Sequence, residues 1–299
     1  MIFDANAQLV VGNLGWVDKG ALWTFNVRSQ QETRIPVEGA KFLSLRAGAN
    51  GFFRLIHHQS SDQAVSIRHV RAPHIELASV RLVQGRATFF GEVDLWRHVD
   101  PAAIITSDFG QKAILIDAAR LRVTDLDLTW FTSENYDLGY QGLVDSIALR
   151  SSDNIIISVQ RSSTLVVIDQ SRNERVGSIA LANRRGNPQL QLRNDTDLFA
   201  SDYDTLCRID TQSLVVLSSV RLQAAAGNTQ QFIGDYEVTP GKLVVARPFS
   251  GDVLLLDPDD FRAVGQAQVG GQPLAVCMLS DQRVITRDWK TGRVAISQF

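Results

Sequence analysis

Apolar runs of five to eight residues, rich in Val, Ile, Leu and Phe, alternate along the chain with clusters of Gly, Asp, Asn and Ser. Helical periodicity is almost absent. Runs of this length and β-branched content, bounded by turn-forming residues, read as strands, so the chain is expected to be all-β. Such a pattern calls first for a search for internal repeats, because a period of forty-odd residues marks propeller blades.

The clearest repeat marker is an Asp closing an apolar strand: ILID at 114–117, VVID at 166–169, CRID at 207–210 and LLLD at 254–257. The successive spacings are 52, 41 and 47 residues. Another apolar strand precedes each marker: AAIITSD from Ala102, NIIISVQ from Asn154, DLFASDY from Asp197 and KLVVARP from Lys242. The pairs at 8–27, 52–70 and 283–298 fit the same scheme. A more polar strand follows the marker, as in ERVGSIAL from Glu174 and RAVGQAQV from Arg262. In the latter Ala263, Gly265, Ala267 and Val269 share one face and Arg262, Val264, Gln266 and Gln268 the other, which suits an outer edge. The two preceding strands are apolar on both faces, as expected of a sheet packed between two others.

With strands named A to D from centre to rim, seven units begin near Met1, Lys41, Arg86, Gly142, Asn187, Thr229 and Gln272. The last unit lacks a fourth strand. The chain therefore predicts one domain over 1–299, a seven-bladed β-propeller of four-stranded blades closed by pairing of N- and C-terminal strands. Six blades with an irregular start is the alternative. Residues 1–6 supply either the missing outer strand or an inner strand of the first blade, and the pattern alone leaves both open. Two stretches break the period. TWFTSENYDLGYQ at 129–141 is expected on the face that carries the turns between strands B and C, and EVDLWRHVDP at 92–101 on the opposite face.

The repeat "strand, polar turn, strand ending in Ile-Asp or Leu-Asp, polar strand, Gly-x-Pro corner" resembles the YVTN and quinoprotein-like seven-bladed β-propellers, relatives in shape of WD40 repeats. STLVVIDQSRNERVGSIAL and SGDVLLLDPDDFRAVGQAQVGGQPLAV match best, and the looser pattern spans nearly the whole chain. The Gly-His and Trp-Asp signatures of WD40 repeats are missing, since the marker aspartates follow Ile or Leu. DWKTGRV near the end is one partial echo of the Trp motif of pyrroloquinoline-quinone enzymes. The resemblance implies a fold and no catalytic residue, because one propeller architecture hosts many functions.

Composition narrows the partners. With 44% apolar and 21% charged residues a large core is possible and global disorder is not expected. A net charge of −2 argues against a nucleic-acid binder working by general electrostatic attraction. The two cysteines, Cys207 and Cys277, fall inside predicted strands, so buried reduced thiols are expected rather than a metal or redox motif. MIFDANAQ has no basic leader before an apolar core, and no apolar run has membrane-spanning length. A cytoplasmic protein with no membrane partner is the expectation.

Candidate chemistry gathers in the turns between strands B and C: Asp108-Phe109, Asp202-Tyr203, Pro248-Phe249 and Asp288-Trp289, with Trp16 loosely in the same place. In a propeller these turns surround one mouth of the central channel. An Asp-aromatic rim would serve a ligand, whereas Asp alone also builds turns by accepting backbone N–H bonds, and an aromatic there also lids the gap between blades. Trp130, Tyr136 and Tyr140 of the 129–141 loop join the same candidate face. Arg161, Arg247 and Arg287 occupy neighbouring positions of these turns, with Arg184 and Arg185 in a nearby loop. Guanidinium groups there would bind a carboxylate or phosphate, or else pair with local aspartates.

All five histidines, His57, His58, His69, His74 and His98, lie between Phe52 and Asp100. No HxH or HExxH spacing accompanies them, so no metal and no cofactor is expected. There is also no G-x-S-x-G elbow, P-loop or Rossmann fingerprint. The sequence leans away from an enzyme and towards a non-catalytic binding or scaffolding propeller that recognises a protein or peptide through its Asp-aromatic turn face. The alternative is a hydrolase or lactonase using carboxylates at the channel mouth, with or without a divalent cation.

Overall fold

The computed structural model describes residues 1–5, 8–12, 21–36, 40–47, 52–59, 64–71, 75–83, 102–107, 112–117, 122–127, 144–149, 154–159, 164–169, 171–172, 174–181, 189–223, 231–279 and 282–299. Between 40 and 149 the description is of the backbone. All regular structure among these residues is strand, and strands adjacent in sequence pair into antiparallel sheets of three or four. No helix among them is long and apolar enough to cross a membrane.

The first sheet is β1 (Ile2–Asp4), β2 (Leu9–Gly12), β3 (Ala21–Asn26) and β4 (Gln31–Pro36). The second is β5 (Ala40–Ala47), β6 (Phe52–Gln59), β7 (Ala64–Arg71) and β8 (Ile75–Val83). The third has three described strands, β9 (Ala102–Ser107), β10 (Lys112–Asp117) and β11 (Arg122–Asp127). The fourth is β12 (Val144–Leu149), β13 (Asn154–Val159), β14 (Thr164–Asp169) and β15 (Glu174–Ala180). The fifth is β16 (Gln189–Asn194), β17 (Asp197–Asp202), β18 (Thr205–Asp210) and β19 (Val215–Arg221). The sixth is β20 (Asp235–Val238), β21 (Leu243–Arg247), β22 (Asp252–Leu256) and β23 (Ala263–Gln268). The seventh is β24 (Pro273–Met278), β25 (Arg283–Asp288) and β26 (Val294–Gln298).

These sheets begin where the repeat places its units. The exception is the unit from Arg86, where the first described strand is β9 and residues 84–101 lie outside the described residues. Burial follows strand order. β17 and β21 are buried at every position, whereas β19 alternates exposed and half-buried residues and β23 is mostly exposed. Apolar on both faces inside and alternating at the edge is the pattern of sheets packed face to face.

The amino terminus does not supply the missing outer strand of the seventh sheet. Its register, Ile2↔Val11, Phe3↔Val10 and Asp4↔Leu9, makes β1 the strand before β2 in the first sheet, and among the described residues no fourth strand pairs with β26. The two ends of the chain meet through side chains instead.

The chain divides into two compact units. One comprises Met1–Ser60, Ser66–Val80 and Val220–Phe299, the other Ser61–Val65 and Arg81–Ser219. In the first unit the first and seventh sheets share a core of Val10, Trp23, Phe25, Val27, Cys277, Leu279 and Ile285, with Met1, Phe3, Val294 and Ile296 against it. Trp23 is fully buried, stacked on Phe25 at 5.9 Å, and its indole N–H donates to Glu32 Oε2 at 3.2 Å. The Arg287 guanidinium lies 4.5 Å from the Trp23 ring and donates through Nε to the Gly292 carbonyl at 3.2 Å. A cation over an indole in a desolvated site is among the stronger contacts of its kind.

The sixth and seventh sheets are joined along their inner strands by carboxylates. Asp235 Oδ2 accepts the Val276 N–H at 2.9 Å, and Glu237 Oε2 accepts the Met278 N–H at 2.6 Å. Gly234 allows this approach, because a Cβ there would stand 2.9 Å from the Pro273 carbonyl oxygen. In the second unit one core cluster runs from Ile155–Ile157 and Leu165–Ile168 to Leu190, Leu192, Leu198, Ala200, Cys207 and Ile209.

Trp23→Ala is expected to cost about 3–5 kcal/mol, because it removes a buried aromatic and uncovers a buried cation. Urea denaturation measures this directly. A loss below about 1 kcal/mol would show that the first and seventh sheets are not held together through this residue.

Candidate functional site

The turn from β21 to β22 rests on a buried ion pair. Arg247 donates through Nε to Asp252 Oδ1 at 2.8 Å and through Nη2 to Oδ2 at 2.5 Å, and its Nη1 reaches the Gln223 carbonyl at 2.7 Å. Gln266 Nε2 adds a bond to Asp252 Oδ2 at 2.5 Å. Asp252 is 0% and Arg247 7% exposed, so the pair is bidentate, hydrogen-bonded and out of water. Above it the Arg247 carbonyl accepts the N–H groups of Ser250 and Gly251, at 3.1 and 3.0 Å. Gly251 takes φ +66°, a backbone setting that favours glycine.

That turn is tied to the next sheet. The Gly251 carbonyl accepts the N–H groups of Val269 and Gly270, and a Cβ added at Gly271 would collide with Asp288. Asp288 is a junction. Its Oδ2 accepts the Gln272 N–H at 2.6 Å, and its Oδ1 accepts Lys290 N–H, Thr291 N–H and the Thr291 hydroxyl at 3.0, 2.7 and 2.8 Å. Burial raises its pKa, but the bonds from Gln272, Thr291 and Lys290 outweigh this and hold the carboxyl below the usual range.

The aromatics of these two turns differ. Phe249 is 36% exposed and meets Phe232 edge-on at 5.1 Å, beside a Gln231–Ser250 side-chain bond of 2.6 Å. Trp289 is half-buried; its indole N–H donates to Gln272 Oε1, its backbone N–H to the Gln272 carbonyl, and Lys290 Nζ lies 5.5 Å from its ring. Phe249 therefore presents an open face, while Trp289 serves chiefly as a lid on its own turn.

In the second unit, Asp202 pairs with Thr205 across the two-residue turn from β17 to β18. Tyr203 at its tip is 44% exposed and takes φ +57°, a left-handed setting uncommon for a bulky residue. Asp202 and Asp204 on either side are buried, and the Thr205 hydroxyl donates to Asp204 Oδ1 at 3.1 Å.

Arg247 and Arg287 are not presented to solvent as an anion-binding set. Both are buried, one on Asp252 and the other over Trp23. Asp108, Phe109, Trp130, Tyr136, Tyr140 and Arg161 lie outside the described residues, as do Trp16, Arg184, Arg185, His74, His98 and the whole 129–141 loop. His57 and His58 stand on β6 opposite Leu43 and Phe42, and His69 stands on β7. Among the described residues no three His, Cys, Asp or Glu side chains form a group able to hold a metal ion. Cys207 and Cys277 are buried, and burial with the nearby Asp202 charge pushes the Cys207 thiol up to about 11.

Three of the four repeated marker aspartates are turn-builders. Asp169 Oδ1 accepts Ser171 N–H and Oγ–H at 2.9 and 2.6 Å, Asp210 accepts Gln212 N–H at 2.7 Å, and Asp257 accepts Asp259 N–H at 2.8 Å. Asn26 does the same for Arg28 and Ser29 after β3. Each satisfies backbone donors at the turn into the outermost strand. Residues without a repeat signal complete the site: Phe232, Gln231 and Gln272 sit in the links before inner strands, and Gln266 in an edge strand.

No known family model matches the chain, and no curated protein matches it in sequence. Solved structures match it in fold. The WD40 β-propeller domain of Doa1 superimposes with a TM-score of 0.65 at 12% identity over 94% of this chain and 86% of that one. The β-propeller domain of Myceliophteria thermophila Cps50 (Swd1) gives 0.68 at 12%, over 99% and 95%, and U3-55K gives 0.69 at 12%, over 100% and 94%. The chain thus has a WD40-like propeller fold without the Gly-His and Trp-Asp signatures.

Asp252→Ala strands the Arg247 charge in the interior and is expected to cost about 3–5 kcal/mol, whereas the double replacement Arg247→Met, Asp252→Leu should cost much less. Chemical denaturation of the two variants separates a buried pair from a surface one. Asp169, held at about 2 against an ordinary 3.8 by the Ser171 hydroxyl and then Arg172, gives a pH prediction. Its folded-state pKa is depressed, so its charge-dependent stabilisation is present above about 3.8 and is lost as pH falls towards about 2. The gap in urea midpoint between wild type and Asp169→Asn should be constant above pH 5 and close below pH 4. A gap that widens with acid contradicts the assignment.

Proposed function

We propose that the chain is one propeller domain whose seven sheets are the blades of a closed ring, and that it acts as a non-catalytic binding module for a protein or peptide. The working surface is assigned to the turn bearing Phe249 in the first unit and, separately, to the turn bearing Tyr203 in the second. Asp108, Phe109, Trp130, Tyr136, Tyr140 and Arg161, outside the described residues, are assigned to partner binding from the sequence alone. The observation that carries this reading is the contrast at the β21–β22 turn. Phe249 is left open to solvent on a base locked by Arg247, Asp252 and Gln266. A rigid aromatic on an immobile turn loses little entropy on binding, which is why such residues dominate interfaces. The WD40-like fold supports an interaction scaffold.

Within this reading Arg247, Asp288 and Trp289 position the face, and Arg287 secures the sheets behind it. Among the described residues, Asp235, Glu237, Asp252 and Asp288, which the rival hydrolase would draw on, each accept bonds from the backbone or from Arg247.

The test is quantitative affinity capture from the native host with the tagged full chain. Phe249→Ala and Tyr203→Ala are expected to lower recovery of the specific partner at least tenfold with little change in unfolding midpoint, and so is deletion of 129–141. Undiminished recovery by all three variants overturns the proposal.

A further inference from the structure

The outermost strand of a sheet leaves a row of N–H and C=O groups open, and proteins guard such edges with charge, proline, a bulge or a cover. Most edges whose side chains are described follow this rule. β4 (QETRIP) carries Glu32, Arg34 and Pro36. β15 opens with Glu174 and Arg175 and is irregular opposite Val167 and Ile168. β23 is irregular opposite Leu255 and Leu256, and Phe299 lies against its Gly265. β26 is half-buried along all but its last residue.

β19 departs from them. Its sequence, VVLSSVR, has neither charge nor proline before the final Arg221. Val215 and Leu217 are 52% and 54% exposed, the most open large apolar side chains among the described residues, and with Ser219 they share the exposed side of the alternation. Val216, on the other side, packs with Leu214 against the core of the second unit. Among the described residues the strand is thus anchored on one face, and no further strand pairs with its outer edge. Two aliphatics at i and i+2 beside an unguarded main-chain edge are what strand addition requires: hydrogen bonds for affinity and alternate side chains for selectivity.

We propose that β19 docks an extended segment of a partner polypeptide, with aliphatic side chains at alternate positions, as a fifth strand of the fifth sheet. The extent of the strip favours a linear segment over a second copy of this chain. Seven residues span roughly 24 Å at about 3.4 Å each. One strand-wide strip of that length falls well short of the roughly 1,200 Å² that a stable interface between two folded surfaces buries. This site is separate from the aromatic turns and does not depend on their role.

The experiment uses fluorescence anisotropy with the full chain and four heptapeptides that alternate Ser with Val, Ile, Leu or Phe. At least one is expected to bind saturably. Val215→Lys and Leu217→Lys, checked by unfolding midpoint, should each weaken that binding at least tenfold, while Val264→Lys on β23 and Phe249→Ala leave it unchanged. Methylation of the alternate peptide nitrogens that face β19 should abolish binding, and methylation of the intervening ones should not. Absence of saturable binding by any of the four, or full affinity in Leu217→Lys, overturns the proposal. So does a concentration-dependent dimer of the wild-type chain that Leu217→Lys abolishes, because the occupant would then be a second copy.

Discussion

Phe249 stands on a hairpin turn whose base is the buried Arg247–Asp252 pair, and the satisfied polar groups of that pair hold the turn. Two charges with 7% and 0% exposure stay there because guanidinium and carboxylate meet bidentately, and Gln266 and the Gln223 carbonyl take further bonds. Such a pair contributes little net stability over an apolar substitute, but half of it is strongly destabilising, so it fixes the turn in one arrangement. From there a ladder runs through Gly251, Val269 and Gly270 to Gln272, Asp288 and Trp289, coupling two turns of the first unit. Phe249 is placed by that ladder and takes no polar part in it.

The WD40-like fold is reached without the signatures that usually accompany it. Short carboxylate bonds do comparable work at the turns: Asp169, Asp210 and Asp257 each close the strand before the edge by capping the next turn. Asp235 and Glu237 extend the principle between sheets by taking N–H groups of β24. Carboxylates are therefore largely structural in the described part of the molecule. The large apolar side chains most exposed among the described residues lie elsewhere, including Tyr203 on a turn and Val215 and Leu217 on an edge strand, and these are where recognition is proposed.

Strand order, the spacing of sheets and the exposure of the edges were legible from sequence because they depend on local alternation and on turn chemistry within a few residues. Asp closing an Ile- or Leu-rich strand is such a local signal. The environment of the arginines was not legible. Arg287 is buried because Trp23, near the other end of the chain, lies over it, and no pattern near Arg287 reports that. Phe249 and Trp289 occupy equivalent turn positions, yet Phe249 meets Phe232 edge-on and Trp289 donates its indole N–H to Gln272, partners that no pattern near either aromatic reports. The role of β1 was open for a similar reason: Ile2 and Phe3 are as suited to an outer as to an inner strand, and only pairing with Val10 and Val11 decides.

The turns bearing Tyr203 and Phe249 are the proposed partner-binding surface. Hydrogen exchange of the full chain, read by mass spectrometry with and without its captured partner, tests it most directly. The account predicts added protection in peptides covering 202–205 and 247–252, with the inner strands β20 and β24 unchanged. Protection confined to other segments, with both turns exchanging as in the unbound chain, would contradict it.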